Sequence, residues 1–343
     1  MRILYVAPRY HPHIGGVEYV VESLATRFAK MGHQVTVLCG EPGTDKPVEE
    51  ELNNVRVIRW PTLAPNNAYH IPRQKAEFEK ILEELAKTHD VAHIHSAHAV
   101  LPVHAGLRLK QCNPSLRLVF TPHYHGTGHT LTRRLLWNIF WRSRVNKLTQ
   151  TADIIHSVSP YEAQLLQKHY PHIRHKIIVI PNGVDEDVLN YKWKGQNSDY
   201  MIYAGRIEKY KRLELAVNLA KQLGLRLIIL GNGPHKNKLK EYAEKYYLGK
   251  VEFHPPQPRQ TYLRLLASSR YAVNLSKHEA YSIFIAESLA IGVPAIVTEV
   301  ILRTLQPKPI NILNLNREKL FIAQSFNATP WNATALKIKQ IYE

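Results

Sequence analysis

The sequence predicts an α/β protein whose open, mostly parallel sheets are built in two successive halves. Short apolar runs alternate with stretches of helical apolar spacing from residue 3 onward. A polar, poorly periodic stretch at 184–199 interrupts that alternation, and a second series follows it. Glycines recur directly after the strand-like runs, at the carboxyl ends where open α/β sheets bind ligands.

In chain order, Ile3 to Val6 reads as a strand that runs into a loop at Pro8 to Gly16. Val17, Val20, Val21, Leu24 and Phe28 then recur at helical spacing, and Gly32 closes the helix. Strands are expected at Val35–Leu38, Val55–Ile58, Val91–Ile94, Leu118–Thr121, Ile154–Val158 and Ile177–Ile180. The intervening helices are expected at 73–87, 98–110, 132–150 and 160–169. Beyond the polar stretch come strands at Tyr200–Ala204, Arg226–Leu230, Val251–Phe253 and Ala272–Leu275, with helices at 211–223, 235–247 and 259–267. The expected division is a first domain at 1–183, a linker at 184–199, a second domain at 200–325, and a tail at 326–343 with a final helix from Trp331 that packs on either half. A cleft between two similar-sized domains is expected.

A chain of 343 residues accommodates two cores. No apolar stretch approaches the 18 residues of a membrane-spanning helix, and the start, MRILYVAP, lacks the apolar core of a signal peptide. Two cysteines, Cys39 and Cys112, are too few for a disulfide framework, which favours a cytoplasmic setting. The net charge of +17 points to a negatively charged partner: nucleic acid, an anionic membrane surface or a phosphate-bearing substrate.

The densest motif is KHEAYSIFIAESLAIGVP, from Lys277 to Pro294. Ser282 is a suitable N-cap, and Ile283 to Ile291 read as a short apolar helix whose free N–H groups and positive end suit a phosphate. Glu287 would sit about 6–8 Å farther along the axis, within reach of a ribose attached to that phosphate. Glu279, in the preceding loop, would face an attached sugar. Gly205-Arg206 ends the first strand of the second half, Lys211 follows, and Gly231 and Gly233 end the next strand. Arg206 and Lys211 there would form charge-assisted bonds to a diphosphate and stabilise it as a leaving group. In the first half, Gly15-Gly16 opens a helix, where a ligand's close approach and a turn needing positive φ are both open readings.

Together PRYHPHIGGVE, the Gly32-His33 turn, TPHYHG, PNGVD, YAGRIEKYKR, LGNGP and EAYSIFIAESLAIGVP make nearly the whole chain resemble a retaining GT-B glycosyltransferase of glycosyltransferase family 4. The resemblance implies two Rossmann-like domains with parallel sheets facing a central cleft, acceptor on the first and donor on the second. It implies roles for Arg206 and Lys211 on the donor diphosphate, Glu287 on the ribose, Glu279 near the transferred sugar's hydroxyls, His123 against that sugar, and Gly15-Gly16 near the diphosphate. Gly205, Gly231, Ser282 and Ile283 complete the expected donor-binding set. Retention of anomeric configuration is implied, with the departing phosphate as base, and no metal cofactor is expected.

Two departures from the family pattern stand out. Ser282 replaces the glycine most common in the motif, and no glycine follows Gly292, so the family's glycine-bearing loop is rebuilt in VTEVILRTLQPKPINILN. DED at 185–187 lies in the turn and linker and is not read as a metal site; the histidine-rich stretches 93–98 and 123–129 lack companion cysteines for zinc.

The segment 131–147, LTRRLLWNIFWRSRVNK, is the clue to the acceptor. Trp137 and Trp141 among Arg133, Arg134, Arg142 and Arg144 fit a helix lying in an anionic lipid interface; a helix packed on the sheet with a basic outer face is the other reading. The first makes the acceptor a lipid-linked sugar or glycolipid used in cell-surface polysaccharide synthesis, with the protein peripheral at the inner membrane face. A DNA-modifying glucosyltransferase, which would make nucleic acid a partner, and a non-catalytic nucleotide-sugar-binding module are the alternatives.

Overall fold

The computed structural model describes residues 1–65, 68–126, 137, 141–315 and 318–343. The chain divides into two compact units, Met1–Asn182 with Trp331–Glu343, and Gly183–Pro330.

The first unit holds a nine-stranded sheet of order β3-β4-β2-β1-β6-β7-β8-β9, with β5 paired to β4. Its central strand β1 (Arg2–Ala7) is buried along nearly its whole length, as a parallel strand covered on both faces must be. Parallel neighbours are β2 (Gln34–Glu41), β4 (Val55–Leu63), β6 (Val91–His95), β7 (Arg117–Thr121), β8 (Ile154–Ser157) and β9 (Ile177–Val179). The pattern missed β3 (Val48–Leu52) and β5 (Ile71–Pro72), both antiparallel to β4. VEEEL shows no apolar alternation because it is a largely exposed edge strand; three consecutive glutamates there also discourage pairing with another chain. Helices α1 (Gly16–Lys30), α2 (Lys75–Thr88), α3 (Val100–Cys112), α4 (Arg142–Thr151) and α5 (Pro160–His169) follow in chain order. Helix α1 turns Val20, Val21, Leu24, Ala25 and Phe28 inward.

The second unit carries a seven-stranded sheet of order β12-β11-β10-β13-β14-β16-β15. Strands β10 (Tyr200–Ala204), β11 (Arg226–Leu230), β12 (Val251–His254), β13 (Tyr271–Asn274) and β14 (Ala295–Val297) are parallel. Helices α6 (Leu213–Leu223), α7 (Lys236–Tyr246), α8 (Arg259–Ala267) and α9 (Ile283–Ile291) connect them, and α10 (Glu299–Leu305) follows β14. The rebuilt segment after Gly292 becomes β14, α10 and an antiparallel hairpin of β15 (Lys308–Leu315) and β16 (Glu318–Ser325) that extends the sheet.

The stretch 184–199 is not a free linker. It belongs to the second unit, with a short 3-10 turn at Glu186–Asn190 that buries Val188. The Trp193 indole N–H donates to the Ser269 carbonyl at 2.9 Å, and a Cβ on Gly195 would stand 2.0 Å from the same oxygen. Three scattered anchors in polar sequence leave no periodicity to read. The final helix α11 (Trp331–Tyr342) belongs to the first unit, where Trp331 is fully buried.

Candidate active site

In the second unit, the turns after β10 and β11 cross in backbone contact. Gly205 has φ +148 and Gly231 φ +150, a region open essentially to glycine. A Cβ on Gly231 would lie 2.0 Å from the Gly205 carbonyl oxygen, so these glycines answer to one another. The crossing fixes the start of the loop that carries Arg206 and Lys211. Arg206 pairs with Glu208 at 2.5 Å and stays half-exposed. The Lys211 ammonium donates to Glu279 at 2.7 Å, with side-chain exposures of only 12% and 16%. Burial alone would lower the Lys211 pKa, but Glu279, aided by Tyr210 and Tyr203, reverses this and holds the group above its ordinary value.

Glu287 lies on α9 as expected, but it is buried and already paired. Arg259 Nη1 donates to one carboxylate oxygen at 2.6 Å and the Tyr262 hydroxyl to the other at 2.6 Å. Arg259 in turn donates from Nε and Nη2 to Asp187 at 3.0 and 2.9 Å, which gives the DED run an ion-pair role. Burial raises the Glu287 pKa, opposed by Arg259 and Tyr262. Glu287 is thus held within the protein by two side chains. Ser282 occupies the N-cap position without capping; its hydroxyl accepts from Asn274 Nδ2 at 2.9 Å. Among the described residues no side chain caps α9, and Ile283 begins it.

In the first unit, Gly15 is the N-cap of α1 with extended φ −176, so the positive-φ reading is set aside. The space of its missing Cβ is taken by the Glu18 carboxylate, 2.2 Å from the ideal position, which accepts from Arg9 Nε at 2.9 Å. At Gly16 that space is open.

His123 follows β7 with φ +48 and is half-buried. Its Nε2 stands 3.1 Å from His95 Nδ1. Burial, then His156 and His98, push its pKa down to about 3, so the imidazole is neutral. A hydrogen-bond chain beneath it fixes the tautomers. His156 Nε2–H donates to the Ile180 carbonyl at 2.8 Å, so its Nδ1 accepts from the Thr121 hydroxyl at 2.7 Å. Thr121 then accepts from His93 Nε2–H at 2.6 Å, and His93 Nδ1 accepts from the Tyr342 hydroxyl at 2.5 Å. The loop itself is tied down by Glu162, fully buried on α5. One of its oxygens accepts the Tyr124 N–H, and the other accepts the Val158 N–H at 2.7 Å and the Ser157 hydroxyl at 3.1 Å. Burial pushes the Glu162 pKa up to about 7, against the pull of those donors. Sequence reasoning missed Glu162, although Ser159-Pro160-Tyr161-Glu162 is a capping-box spacing and Ser159 does accept the Glu162 N–H at 3.0 Å. Among the described residues no group of three or more His, Cys, Asp or Glu side chains is placed to hold a metal ion.

The proposed interfacial residues divide. Arg133 and Arg134 lie outside the described residues. Trp137 is buried in the first unit's core, its ring 4.7 Å from that of His98, and the half-buried Trp141 donates its indole N–H to the Ala97 carbonyl at 2.7 Å. Trp137 is therefore a core residue and not a surface anchor, and Trp141 is tied to the same core through its indole N–H. Arg142 and Arg144 are exposed on α4. No helix among the described residues is long and apolar enough to cross a membrane.

The sequence model described as Glycosyltransferase Family 4 matches residues 14–188, and that of Glycosyl transferases group 1 matches 190–302. The chain belongs to the family 4 glycosyltransferases. This transferase is 23% identical over 314 residues to the GDP-mannose-dependent alpha-mannosyltransferase of Mycobacterium tuberculosis, covering 87% of this chain and 79% of that one. It is 24% identical over 323 residues to the GDP-mannose:cellobiosyl-diphosphopolyprenol alpha-mannosyltransferase of Xanthomonas campestris, covering 88% and 79%. Its fold matches a sucrose-phosphate synthase of Thermosynechococcus elongatus with a TM-score of 0.71 at 18% identity, over 99% of this chain and 90% of that one. The transferase thus has a two-domain GT-B fold. Its β15–β16 hairpin lies beyond both matched ranges.

Proposed function

We propose that the transferase moves a sugar, with retention, from a nucleotide-diphosphate sugar to a hydroxyl acceptor. The observation that carries this is the convergence, at one sheet edge of the second unit, of Arg206, the Lys211–Glu279 pair and the uncapped start of α9. Two cations and a helix N-terminus suit a diphosphate that must leave as an anion. Glu287, oriented by Arg259 and Tyr262, keeps lone pairs for a ribose hydroxyl. Glu279 and the neutral His123 are assigned to hydroxyls of the transferred sugar, and the departing phosphate takes the acceptor's proton, with no metal ion required. GDP-mannose is the first donor to test, since two relatives are named for it. The name of the second supports a lipid-linked sugar as acceptor, used in cell-surface glycan synthesis by a cytoplasmic protein that visits the membrane.

A ligand that binds only the folded state raises the melting temperature. The transferase is therefore expected to melt higher with GDP-mannose or GDP than with other nucleotide diphosphates and their sugars, equally with EDTA present. No shift with any of them removes the donor reading. A shift abolished by EDTA removes metal independence, and an inverted anomer in the product, read by NMR coupling constants, removes retention.

A further inference from the structure

The loop carrying Arg206 and Lys211 ends at Arg212, which takes φ +54, a left-handed conformation that glycine adopts freely and arginine does not. Its side chain shows what holds it there. Nε donates to the Leu275 carbonyl at 2.6 Å, where β13 gives way to the loop of Glu279. Nη1 donates to both carboxylate oxygens of Glu318, at 2.5 Å each. Glu318 is the first residue of β16, in the hairpin that lies beyond both family matches. A third link runs beside these, from the Lys277 N–H to the Tyr210 carbonyl at 3.1 Å. The Lys211–Glu279 pair is thus bracketed by bonds on both neighbouring residues of Lys211.

We infer that Glu318 is a positioning residue. Through Arg212, the chain's own β15–β16 hairpin holds the Lys211 loop in register with the Glu279 loop. The inference rests on the proposed role of Lys211 at the donor diphosphate. An exposed ion pair adds little to stability, and Glu318 is 42% exposed, so the expected consequence is positional rather than a loss of fold. Arg212, at 16% exposure, converts that partner into a fixed backbone. Coupling of this kind shifts an equilibrium by factors of about three to ten.

The test uses the full chain with two variants, Glu318→Gln and Arg212→Gly. The second keeps the left-handed backbone without strain, so a folding failure is not built into it. Amide exchange in peptides covering 206–212 is expected to quicken about three- to tenfold in both, with the melting temperature unchanged. Calorimetry with GDP, and separately with UDP, is expected to show the nucleotide bound by the wild type weakening by a similar factor. Exchange at the wild-type rate in both variants overturns the tie, as does an Arg212→Gly variant that binds as well as the wild type. If exchange quickens but affinity holds, the hairpin supports the loop without serving the donor, and the inference falls. Wild-type protein that binds neither nucleotide removes the proposed function, and with it the role of the loop, whatever the exchange data show.

Discussion

The two sheet edges that carry candidate catalytic groups are built on opposite electrostatics. In the second unit the groups are held by ion pairs: Lys211 on Glu279, Arg259 on Glu287 and Asp187, Arg212 on Glu318. In the first unit they are held by neutral imidazoles and a hydroxyl chain, around one buried carboxyl pushed up to about 7. The charged edge suits a ligand that brings its own charge, since a diphosphate can enter the field of cations already paired and desolvated. The neutral edge suits hydroxyls, whose hydrogen bonds need donors and acceptors at fixed places and gain nothing from a net charge. The difference predicts that substitutions will act on the two edges through different quantities, affinity and turnover in one and pH-dependent stability in the other.

The largest effect is expected at Lys211. Lys211→Met removes a cation from the proposed diphosphate site and leaves Glu279, 16% exposed, without its partner. Loss of one such stabilising group costs about 2.7–4 kcal/mol in the transition state, a fall in turnover of about a hundred- to a thousandfold. Steady-state transfer or hydrolysis of GDP-mannose measures it. A loss confined to KM would put Lys211 in ground-state binding alone and break the charged half of the comparison.

The neutral edge is tested by pH. His123 is pushed down to about 3 and His156 to about 4, while unfolded histidine titrates near its ordinary 6.5. Between these values the unfolded chain binds more protons, so the first unit loses stability as pH falls through about 6.5 toward 4. Glu162 acts with the opposite sign. Its folded pKa of about 7 stands above the ordinary 4.5, so its burial costs about 3 kcal/mol above pH 7 and nothing below 4.5. More imidazoles than carboxyls are involved, and the net expectation is acid lability, read by melting curves from pH 7.5 to 4.5. In Glu162→Ala the opposing group is gone and that slope steepens. The variant is also less stable by about 2–4 kcal/mol, because the Tyr124 and Val158 N–H groups lose their acceptor. A flat profile in the wild type means that the first unit is not held by neutral histidines, and an unchanged slope in the variant means that Glu162 does not oppose them.

These assignments show what the sequence made legible. The parallel strands and their helices were readable because burial on one or two faces writes a period into the chain, and α9 and α11 fall where Ser282 and Trp331 place their starts. Strands β3 and β15 were not readable, because an exposed edge strand has no apolar period: VEEEL and KPINILNL leave most side chains in water. At the candidate site, the residues named from motifs occupy the carboxyl ends of strands and the start of α9. Their partners did not announce themselves. Arg259, Tyr262, Asp187 and Glu318 lie 25 to 106 residues from the groups they bond, and nothing local in sequence links them. The burial of Trp137 was hidden for a similar reason, since a tryptophan flanked by arginines reads alike whether it faces lipid or core.

The smallest effect is expected at Gly16, where it separates packing from binding. A Cβ there meets no atom of the described residues within 4 Å, and the position opens a helix, so Gly16→Ala should change stability by no more than about 0.5 kcal/mol. Its neighbour offers the contrast: at Gly15 the same methyl displaces the Glu18 carboxylate from the space beside Arg9. A cost at Gly15 therefore reports an internal ion pair and says nothing about a ligand. A several-fold loss of donor nucleotide affinity in Gly16→Ala, at unchanged melting temperature, means that the open space is where the ligand's backbone approach occurs. Equal affinity in Gly16→Ala and wild type removes the glycine pair from the donor site and leaves Gly15 a purely structural residue.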